Sequence, residues 1–590
     1  MKEVQKSKKF ITAFLATIMV MSTAACGGNA SQNSSSQQSA GVSSATSATG
    51  EEKTGYDTHV ELSWFKEGIT GHEINYDGDA YGQFWQDKFN TTFDLTAATM
   101  DDSDWSQRLR IWINSGDMPD VAHWGFNYGE LVDYAAQDAV YRFPDDWKER
   151  WPNVAASQEC VPGAAIAEEK LGGTYTLFRT IFANHRPSER LSYHALLYMR
   201  KDWMQACGVE IKETYSPSEL EEIATKFKEE DPGNVGSQLV PISIRTYDVP
   251  KIYPGTYFPQ SINLGDGYYK DESGQFQWAP ADERTLEGLK KYQNLYTSGL
   301  LDPEFYTLTR WEGTEKFHIG GTAGIVLDDG MCSMIQNRME DGLRKNLGLD
   351  PDEALHIAQL VGEDGKYYYR EDMNFYGSII FSPTITDEEF ERAMDILDFC
   401  CTEEGQEIIN MGFEGEDWKR DENGEYVSLL PNEITGNAGS ILASKYPTAD
   451  VFFGGVILGD DFQFVTPNYT KETRDTVSHF YQLRDEISDE TTLLPREYDY
   501  EFYSSRTKTQ ANMDLSEEYA QLILKEGDLE TNWRNWVDEK MQLVNILNQE
   551  VSIDGRIQYV NNAIKIYCKS VFDALNDDDS SLVRFYRFEL

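Results

Sequence analysis

Adjacent carboxylates are the first residues in this chain whose type and spacing could do chemistry. Asp328-Asp329 and Glu403-Glu404 form such pairs, and two carboxyl groups held close together can supply the acid and the base or nucleophile of glycoside hydrolysis. The chain carries 100 acidic side chains, however, so adjacent carboxylates arise by chance. Most of them belong to solvated faces, and the pairs alone do not indicate an enzyme.

Other catalytic motifs are absent from the sequence. It contains no GxSxG, no HExxH and no GxxxxGK[ST]. The histidines are scattered, and no cysteines show the Cys-x-x-Cys spacing of a zinc site. The cysteines after Cys26 permit disulfides without requiring them, because buried thiols suit a body of this size. We therefore expect no catalytic residue, no metal and no other cofactor.

The net charge is −48, from 52 basic and 100 acidic side chains. Such a field repels polyanions, which argues against nucleic acid or anionic lipid as a partner. Neutral ligands are favoured over acidic ones unless a local patch around residues such as Lys66 or Arg245 overrides the field.

Aromatic residues make up 13% of the chain, so either its cores or a binding surface must be rich in rings. A sugar shows apolar C–H groups on one face and hydroxyls around its rim. A flat ring covers that face while polar side chains bind the rim. Aromatic and polar residues at the ends of strands are therefore candidates for sugar binding.

The N-terminal segment predicts secretion and lipid attachment. Basic residues are followed by the apolar stretch Phe10–Met21 and small residues, which is typical of a signal peptide rather than a membrane span. TAAC at 23–26 resembles a bacterial lipoprotein box, whose cysteine is acylated, although Thr23 departs from the preferred Leu or Val. An ordinary secretory signal ending near residue 25 is the alternative, but the two glycines after Cys26 favour lipidation there.

Residues 27–55 are almost entirely Gly, Ser, Asn, Gln, Ala and Thr, and they cannot bury a core. As a flexible coil of roughly 30 residues, this tether has an r.m.s. reach of about 30 Å. The globular body begins near Tyr56, and its length is sufficient for two substantial lobes.

The body opens with α/β elements. Alternating apolar residues predict a strand over His59–Phe65, and helical spacing predicts helices over Tyr81–Phe89 and 105–113. Two later helices carry capping boxes, Ser216 with Glu219 and Thr386 with Glu389.

Four stretches resemble the family 1 extracellular solute-binding proteins of bacterial ABC importers, the maltodextrin-binding type. INSGDMPDV at 113–121 resembles the family's helix end and short strand before the ligand cleft. The stretches 196–232, 315–330 and 385–427 follow the family's order of strands, capped helices and glycine turns. The chain ends in helices similar to those that close the family fold, and the resemblance runs from about 58 to 567 without covering 576–590.

The resemblance implies a two-lobed α/β, periplasmic-binding-protein-like fold whose discontinuous lobes are joined by a hinge that closes over ligand. We expect the chain to cross between lobes near 183–195 and 373–383. The expected organisation is signal peptide 1–25, lipidated cysteine and tether 26–55, first lobe 56–185 and 373–435, and second lobe 186–372 and 436–590 with the C-terminal helices.

The family architecture also implies which residues face the ligand. Trp124 is the leading candidate, because relatives carry a tryptophan just after this short strand, although a core position under the strand end is the alternative. Asn127 falls where relatives place a polar sugar contact. The remaining candidates lie at predicted strand ends or in aromatic loops: Trp64, Lys66, Asp328, Asp329, Trp311, Trp418, Tyr257 and Phe258.

Some relatives hold calcium in a loop after the Asp-Pro helix end. Here that loop reads DPGNVGSQLVP, and Asp231 and Asn234 are its only side-chain oxygens of the usual kind, whereas Ca²⁺ takes six to eight oxygen ligands. We therefore assign no metal.

The resemblance implies a lipid-anchored monomer on the outer face of a bacterial cytoplasmic membrane, which binds an oligosaccharide and delivers it to ABC permease subunits. A peptide or other small solute as ligand of the same fold is the first alternative. An adhesin and an anchored glycoside hydrolase are the others.

Overall fold

A computed structural model describes residues 55–576 apart from short gaps, with side chains described as far as residue 552. The gaps are 67–74, 98–101, 125–127, 189, 191–194, 246–254, 256–257, 259–266, 272, 309–310, 431–437, 452–454, 495–497, 499–501, 505 and 512–513. The predicted signal peptide, Cys26 and most of the tether lie outside the described residues. So do Asn127 and Tyr257.

Alternation of buried and exposed residues explains the first strand, Val60–Lys66, where Val60, Leu62 and Trp64 point into a core. The described strands in chain order are β1 Val60–Lys66, β2 Thr91–Ala97, β3 Val121–Trp124, β4 Leu177–Thr180, β5 Ala195–Arg200, β6 Thr214–Tyr215, β7 Val240–Ser243, β8 Tyr268–Lys270, β9 Phe276–Trp278, β10 Ala323–Asp329, β11 Leu355–Leu360, β12 Tyr369–Arg370, β13 Phe375–Phe381, β14 Trp418–Arg420, β15 Tyr426–Ser428 and β16 Leu493–Leu494.

Two five-stranded mixed sheets organise the body. The first has the order β2-β1-β3-β13-β4, in which β1 runs parallel to β2 and β3, and β13 runs antiparallel to both β3 and β4. The second has the order β6-β11-β5-β10-β7, with β5 antiparallel to both of its neighbours. We call each sheet, with the helices packed on it, the first and the second lobe.

Amphipathic helices cover the sheets and fill both cores. The described α-helices are Ala80–Phe89, Asp102–Ser115, Tyr128–Ala136, Trp147–Arg150, Pro152–Glu159, Ala164–Leu171, Lys201–Ala206, Pro217–Glu230, Glu283–Thr297, Glu312–His318, Cys332–Asn337, Pro351–Ala354, Asp387–Cys400, Glu403–Met411, Ala438–Lys445, Lys471–Glu486, Arg506–Ala511, Leu515–Leu524 and Leu529–Asn576, with a π-helix at Arg338–Leu347 and short 3₁₀ turns that include Pro447–Val451 and Gly459–Phe464.

Local capping signals placed helix starts correctly. Both predicted capping boxes are present, with Ser216 and Glu219 opening the helix Pro217–Glu230, and Thr386 and Glu389 opening the helix Asp387–Cys400. Each exchanges hydrogen bonds between a hydroxyl, a carboxylate and backbone N–H groups that the first helical turn leaves unpaired.

The chain passes between the sheets more than once. It leaves the first sheet after β4 and enters the second at β5, and it returns between β11 and β13. The sequence predicts that the chain leaves the first lobe for the second at residue 436. In the structure it leaves later, because Leu442 and Tyr446 are buried in the core of the first lobe. The helix Lys471–Glu486 packs on the second lobe through Val477 and Tyr481, so the third passage falls between 451 and 471.

No helix in the described part of the chain combines the length and the apolar composition that crossing a membrane requires. The cysteines with described side chains, which are Cys160, Cys207, Cys332, Cys400 and Cys401, are free thiols.

Candidate ligand-binding site

The carboxyl-terminal ends of several strands lie along one edge of the first sheet. Lys66 ends β1 and Trp124 ends β3. Arg179 and Thr180 end β4, which runs in the same direction as β3 because β13 is antiparallel to both. The side chain of Trp124 lies outside the described part of the structure. Its backbone pairs with Ser378 of β13.

A matching edge belongs to the second sheet. Asp329 ends β10, and Ser243 ends the parallel neighbour β7, with Arg245 just beyond it. Open α/β sheets bind ligands beyond the carboxyl ends of their strands. These two edges are therefore the natural walls of a ligand site.

Four charged residues near the two edges influence one another electrostatically, and we call them the junction cluster: Arg179, Asp329, Asp460 and Asp461. Asp460 and Asp461 lie in the 3₁₀ turn Gly459–Phe464, directly after a segment that joins β4. There the Leu458 N–H donates to the Thr180 carbonyl at 2.8 Å, and Thr180 bridges to Ile457. The third passage thus leaves the first lobe at the cluster.

Asp461 is a structural carboxylate. It is fully buried, and it accepts hydrogen bonds from the backbone N–H groups of Ala183 at 2.8 Å, Asn184 at 3.0 Å and His185 at 3.0 Å. These donors belong to the first passage between the lobes. Asp461 therefore ties two of the passages together.

Asp460 lies in a different environment from its neighbour. Its side chain is half-buried, and burial first, then the negative charge of Asp329, raises the pKa of its carboxyl to about 7, although Arg179 opposes the rise. Burial of this kind disfavours the charged form.

Asp328 is buried and bound by groups inside the protein. Its carboxylate accepts a hydrogen bond from Arg338 Nε at 2.8 Å and one from the backbone N–H of Asp329 at 2.9 Å. Burial raises the pKa of Asp328, and Arg338 counteracts that rise. Because its partners lie inside the protein, Asp328 holds Arg338 rather than facing a ligand.

Arg338 supports an exposed ring. Its guanidinium carbon lies 5.9 Å from the ring centroid of Trp311, which is 38% exposed at the start of the helix Glu312–His318. A guanidinium at this distance attracts the face of an aromatic ring. Trp311 is thus a partly exposed platform beside a buried ion pair.

Three predicted ligand-binding rings are part of the cores, which corrects the list made from the sequence. Trp64 is 0% exposed, and Trp418 is buried with its Nε1–H bonded to the Gly412 carbonyl at 3.0 Å. Phe258 is buried under the guanidinium of Arg284, 3.7 Å from the ring centroid. None of these rings presents a free face to a ligand in this structure.

Comparison with known proteins identifies this arrangement of lobes. No family model matches the chain. Over 208 residues it is 23% identical to the fructooligosaccharide ABC transporter substrate-binding protein FusA of Streptococcus pneumoniae, a match that covers 35% of this chain and only 38% of that protein.

Solved structures match over far more of the chain. An HMO-binding ABC-transporter-associated solute-binding protein of Bifidobacterium longum infantis aligns with a TM-score of 0.58 at 15% identity, over 84% of this chain and 98% of that chain. The S. pneumoniae FusA complex with kestose aligns at 0.56 and 16% identity, over 85% and 100%. The alginate-binding protein AlgQ2 aligns at 0.56 and 15% identity, over 84% and 99%.

The fold is that of an ABC-transporter solute-binding protein. This confirms the fold class and the resemblance found in the sequence. In this fold the junction cluster lies where the chain passes between the two lobes.

Sequence reasoning did not single out Arg179, Arg338 or Asp460. The sequence held one usable signal for Asp460, since the Asp-Asp pair at 460–461 follows an apolar run, as the pair at 328–329 does. Arg338 carried no comparable signal, because it reaches Asp328 through the helical stretch that follows β10.

Asp231 lies in the loop considered for calcium. Its two carboxylate oxygens accept the backbone N–H groups of Val235 and Gly236, each at 2.9 Å. These bonds fold the loop through protein donors alone. Within the described residues no cluster of His, Cys, Asp or Glu has the arrangement of a metal site.

Proposed function

We propose that this chain is the lipid-anchored, extracellular substrate-binding component of a bacterial ABC importer, and that it captures an oligosaccharide for a membrane permease. One observation carries the proposal: the chain segment 457–463 is hydrogen-bonded to Thr180 at the carboxyl end of β4 and to Cys332 just after β10, so it joins the carboxyl edges of the two sheets. Relatives with this fold are named for binding fructooligosaccharide, HMO and alginate.

The proposed binding surface lies along the two strand edges. Trp124 and Trp311 are proposed to stack on sugar faces from opposite lobes, and Asn127, Lys66 and Asp329 to bind the hydroxyl rim. Tyr257 is proposed to approach the same ligand from its aromatic loop. Aromatic rings and carboxylates are the pair of features that sugar recognition requires.

A glycoside hydrolase is the rival function, and the two carboxylate pairs named from the sequence give it little support. Asp328 is tied to Arg338. Glu403 lies on the helix Glu403–Met411, where it forms an ion pair with Arg420 at 2.9 Å. A hydrolase needs two carboxyl groups that flank one bond, and neither pair provides them.

The experiment is to incubate the protein without its tether with a panel of glycans and measure both binding and hydrolysis. The panel contains neutral fructo-, malto- and milk-type oligosaccharides, acidic alginate oligosaccharides and a peptide mixture. Saturable binding of unchanged glycans, seen as a rise in melting temperature, is the expected result. Release of products at catalytic rates would establish the hydrolase instead, and binding of peptides alone would establish a peptide receptor.

The charge of the chain makes the panel informative about the class of sugar. A net charge of −48 repels acidic glycans at long range. We therefore propose that neutral oligosaccharides bind more tightly than acidic ones. Tight binding restricted to the alginate oligosaccharides would overturn this preference.

A further inference from the structure

The position of Asp460 relative to the two lobes is fixed through its backbone. Its carbonyl accepts a hydrogen bond from Gln463 Nε2 at 2.8 Å, and Gln463 Oε1 in turn accepts the backbone N–H of Cys332 at 2.8 Å, just after β10. On the other side, the Leu458 N–H donates to Thr180 of β4. Asp460 is thus held between the carboxyl edges of both sheets.

The carboxylate of Asp460 has unused hydrogen-bonding capacity. It forms no hydrogen bond and no ion pair within the part of the chain that the structure describes, whereas Asp461 beside it accepts three backbone N–H groups. An ionised carboxylate that is partly buried without donors is costly. Either a proton or hydrogen-bond donors from a bound molecule can remove that cost.

Two neighbouring hydroxyls of a sugar are suitable donors. Each donates one O–H, and an ionised carboxylate has two oxygens that can accept them together in short, charge-assisted bonds. A protonated carboxyl would accept from one hydroxyl and donate to the other, and both bonds would lose the assistance of the negative charge. The ionised form is therefore the form that binds a vicinal diol more tightly.

Resting on the function proposed above, we propose that Asp460 is a ligand-contacting residue at the floor of the site. Its ionised carboxylate binds two sugar hydroxyls, so affinity for neutral oligosaccharide increases from pH 6 to pH 8. Asp460 belongs to neither sheet, so this contact places the ligand against the chain segment that passes between the lobes.

Charged and titratable groups from both lobes surround Asp460. Arg179 of β4 opposes its protonation, and Asp329 of β10 and the adjacent Asp461 favour it. The second lobe adds Cys332, Tyr469 and Tyr481, whose pKa values burial raises far above neutrality, so these three groups stay uncharged. Arg474 lies near Cys332, Asp372 and Arg484 lie near Tyr481, and His185 lies near Asp461.

The direction of the pH effect follows from the raised pKa. At pH 8 most of the Asp460 carboxyls are ionised, and at pH 6 most are protonated, because the pKa is about 7. If the ionised form alone binds, affinity falls by up to about tenfold between pH 8 and pH 6. Most of that change falls below pH 7.

The experiment compares the wild type with Asp460→Asn by calorimetric titration at pH 6, 7 and 8. Neutral fructo-, malto-, xylo- and milk-type oligosaccharides are the probes, and the melting temperature of each ligand-free variant is recorded. Asparagine has nearly the same shape, so we expect normal melting, affinity at least about tenfold weaker at pH 8, and no pH dependence. His185→Gln should keep the pH dependence, and Asp475→Asn, an exposed carboxylate paired with Lys471, should match the wild type.

The outcomes separate this inference from the proposed function. If the wild type binds an oligosaccharide with the same affinity at every pH, or Asp460→Asn binds like the wild type at pH 8, Asp460 is not a contact while the receptor function stands. If the pH dependence disappears in His185→Gln instead, it belongs to that histidine, and the inference fails. If no oligosaccharide in the panel binds the wild type at any pH, the receptor function and the role of Asp460 fail together.

Discussion

Removing Arg338 should destabilise the protein because it leaves Asp328 ionised and buried without its cation. Asp328 is 1% exposed, and Arg338 Nε lies 2.8 Å from its carboxylate. Deleting one partner of such a pair typically costs about 3 to 5 kcal/mol, since the remaining charge is neither solvated nor paired. Arg338→Met keeps most of the side-chain volume, so we expect a loss of that size at pH 7.5.

The pH dependence of the loss tests its cause. Burial raises the pKa of Asp328 even with Arg338 in place, and the variant lacks the positive charge that counteracts this rise. A carboxyl whose pKa is higher in the folded than in the unfolded protein destabilises the fold as pH rises through that interval. Protonation of Asp328 at low pH should therefore remove part of the destabilisation. The loss in free energy of unfolding of Arg338→Met relative to the wild type should be smaller at pH 5 than at pH 7.5.

Urea unfolding at pH 5 and pH 7.5 measures this loss of stability. A second arginine on the same π-helix, Arg344, supplies the control. Arg344 is half-exposed and pairs with Glu340 at 3.1 Å, four residues away. Arg344→Met should cost no more than about 0.5 kcal/mol, as exposed pairs of this kind do. Asp328→Asn combined with Arg338→Met removes the stranded charge and should recover part of the loss. An Arg338→Met variant as stable as Arg344→Met, or equally destabilised at both pH values, would refute the reasoning.

Three further predictions concern the ligand, a strand and the anchor. Trp124→Ala should weaken oligosaccharide binding by roughly 10- to 150-fold, because stacking on the ring would bury about 60 to 100 Å² of apolar area, worth about 1.5 to 3 kcal/mol. A lower melting temperature with affinity retained would assign Trp124 to the core. Gly324→Ala should lower the urea midpoint by an amount equivalent to about 1 to 3 kcal/mol, since the new Cβ would clash with the ring of Phe227, which is itself packed edge-on against Trp203. An unchanged midpoint would mean that the ring moves freely. Cys26→Ser should release the protein from the membrane fraction after a salt wash, because the thiol is the proposed attachment point for lipid; a variant that stays with the membrane would contradict lipidation.

Local patterns in the sequence were sufficient for the elements and their caps. The predicted strand at 59–65 is β1 at Val60–Lys66, and the predicted helix at 105–113 is part of Asp102–Ser115. These elements depend on periodicity over a few residues, and capping boxes depend on residues three apart. The same alternation also placed Trp64 on the face of Val60 and Leu62, so its core position was readable from the strand pattern.

The binding residues were harder to predict because their roles depend on partners that are distant along the chain. The glycine turn before Trp418 predicts a ligand-binding ring, yet the indole N–H of Trp418 donates to a carbonyl inside that turn. The position of Asp328 at a strand end predicts a ligand-binding carboxylate, and only the folded arrangement brings Arg338 to it. Periodicity specifies which face of an element is buried. It does not specify which charged group is satisfied on that face.

The two Asp-Asp pairs, at 328–329 and 460–461, link the fold to the proposed binding site. In each pair one carboxylate is satisfied by the protein, Asp328 by Arg338 and Asp461 by backbone N–H groups of the first passage. The other members, Asp329 and Asp460, come close enough that the charge of Asp329 raises the pKa of Asp460. A negative charge at Asp329 makes ionisation of Asp460 less favourable. A ligand rich in hydroxyls would supply hydrogen-bond donors to Asp460, and its binding would stabilise that charge where the second lobe meets the passage from the first.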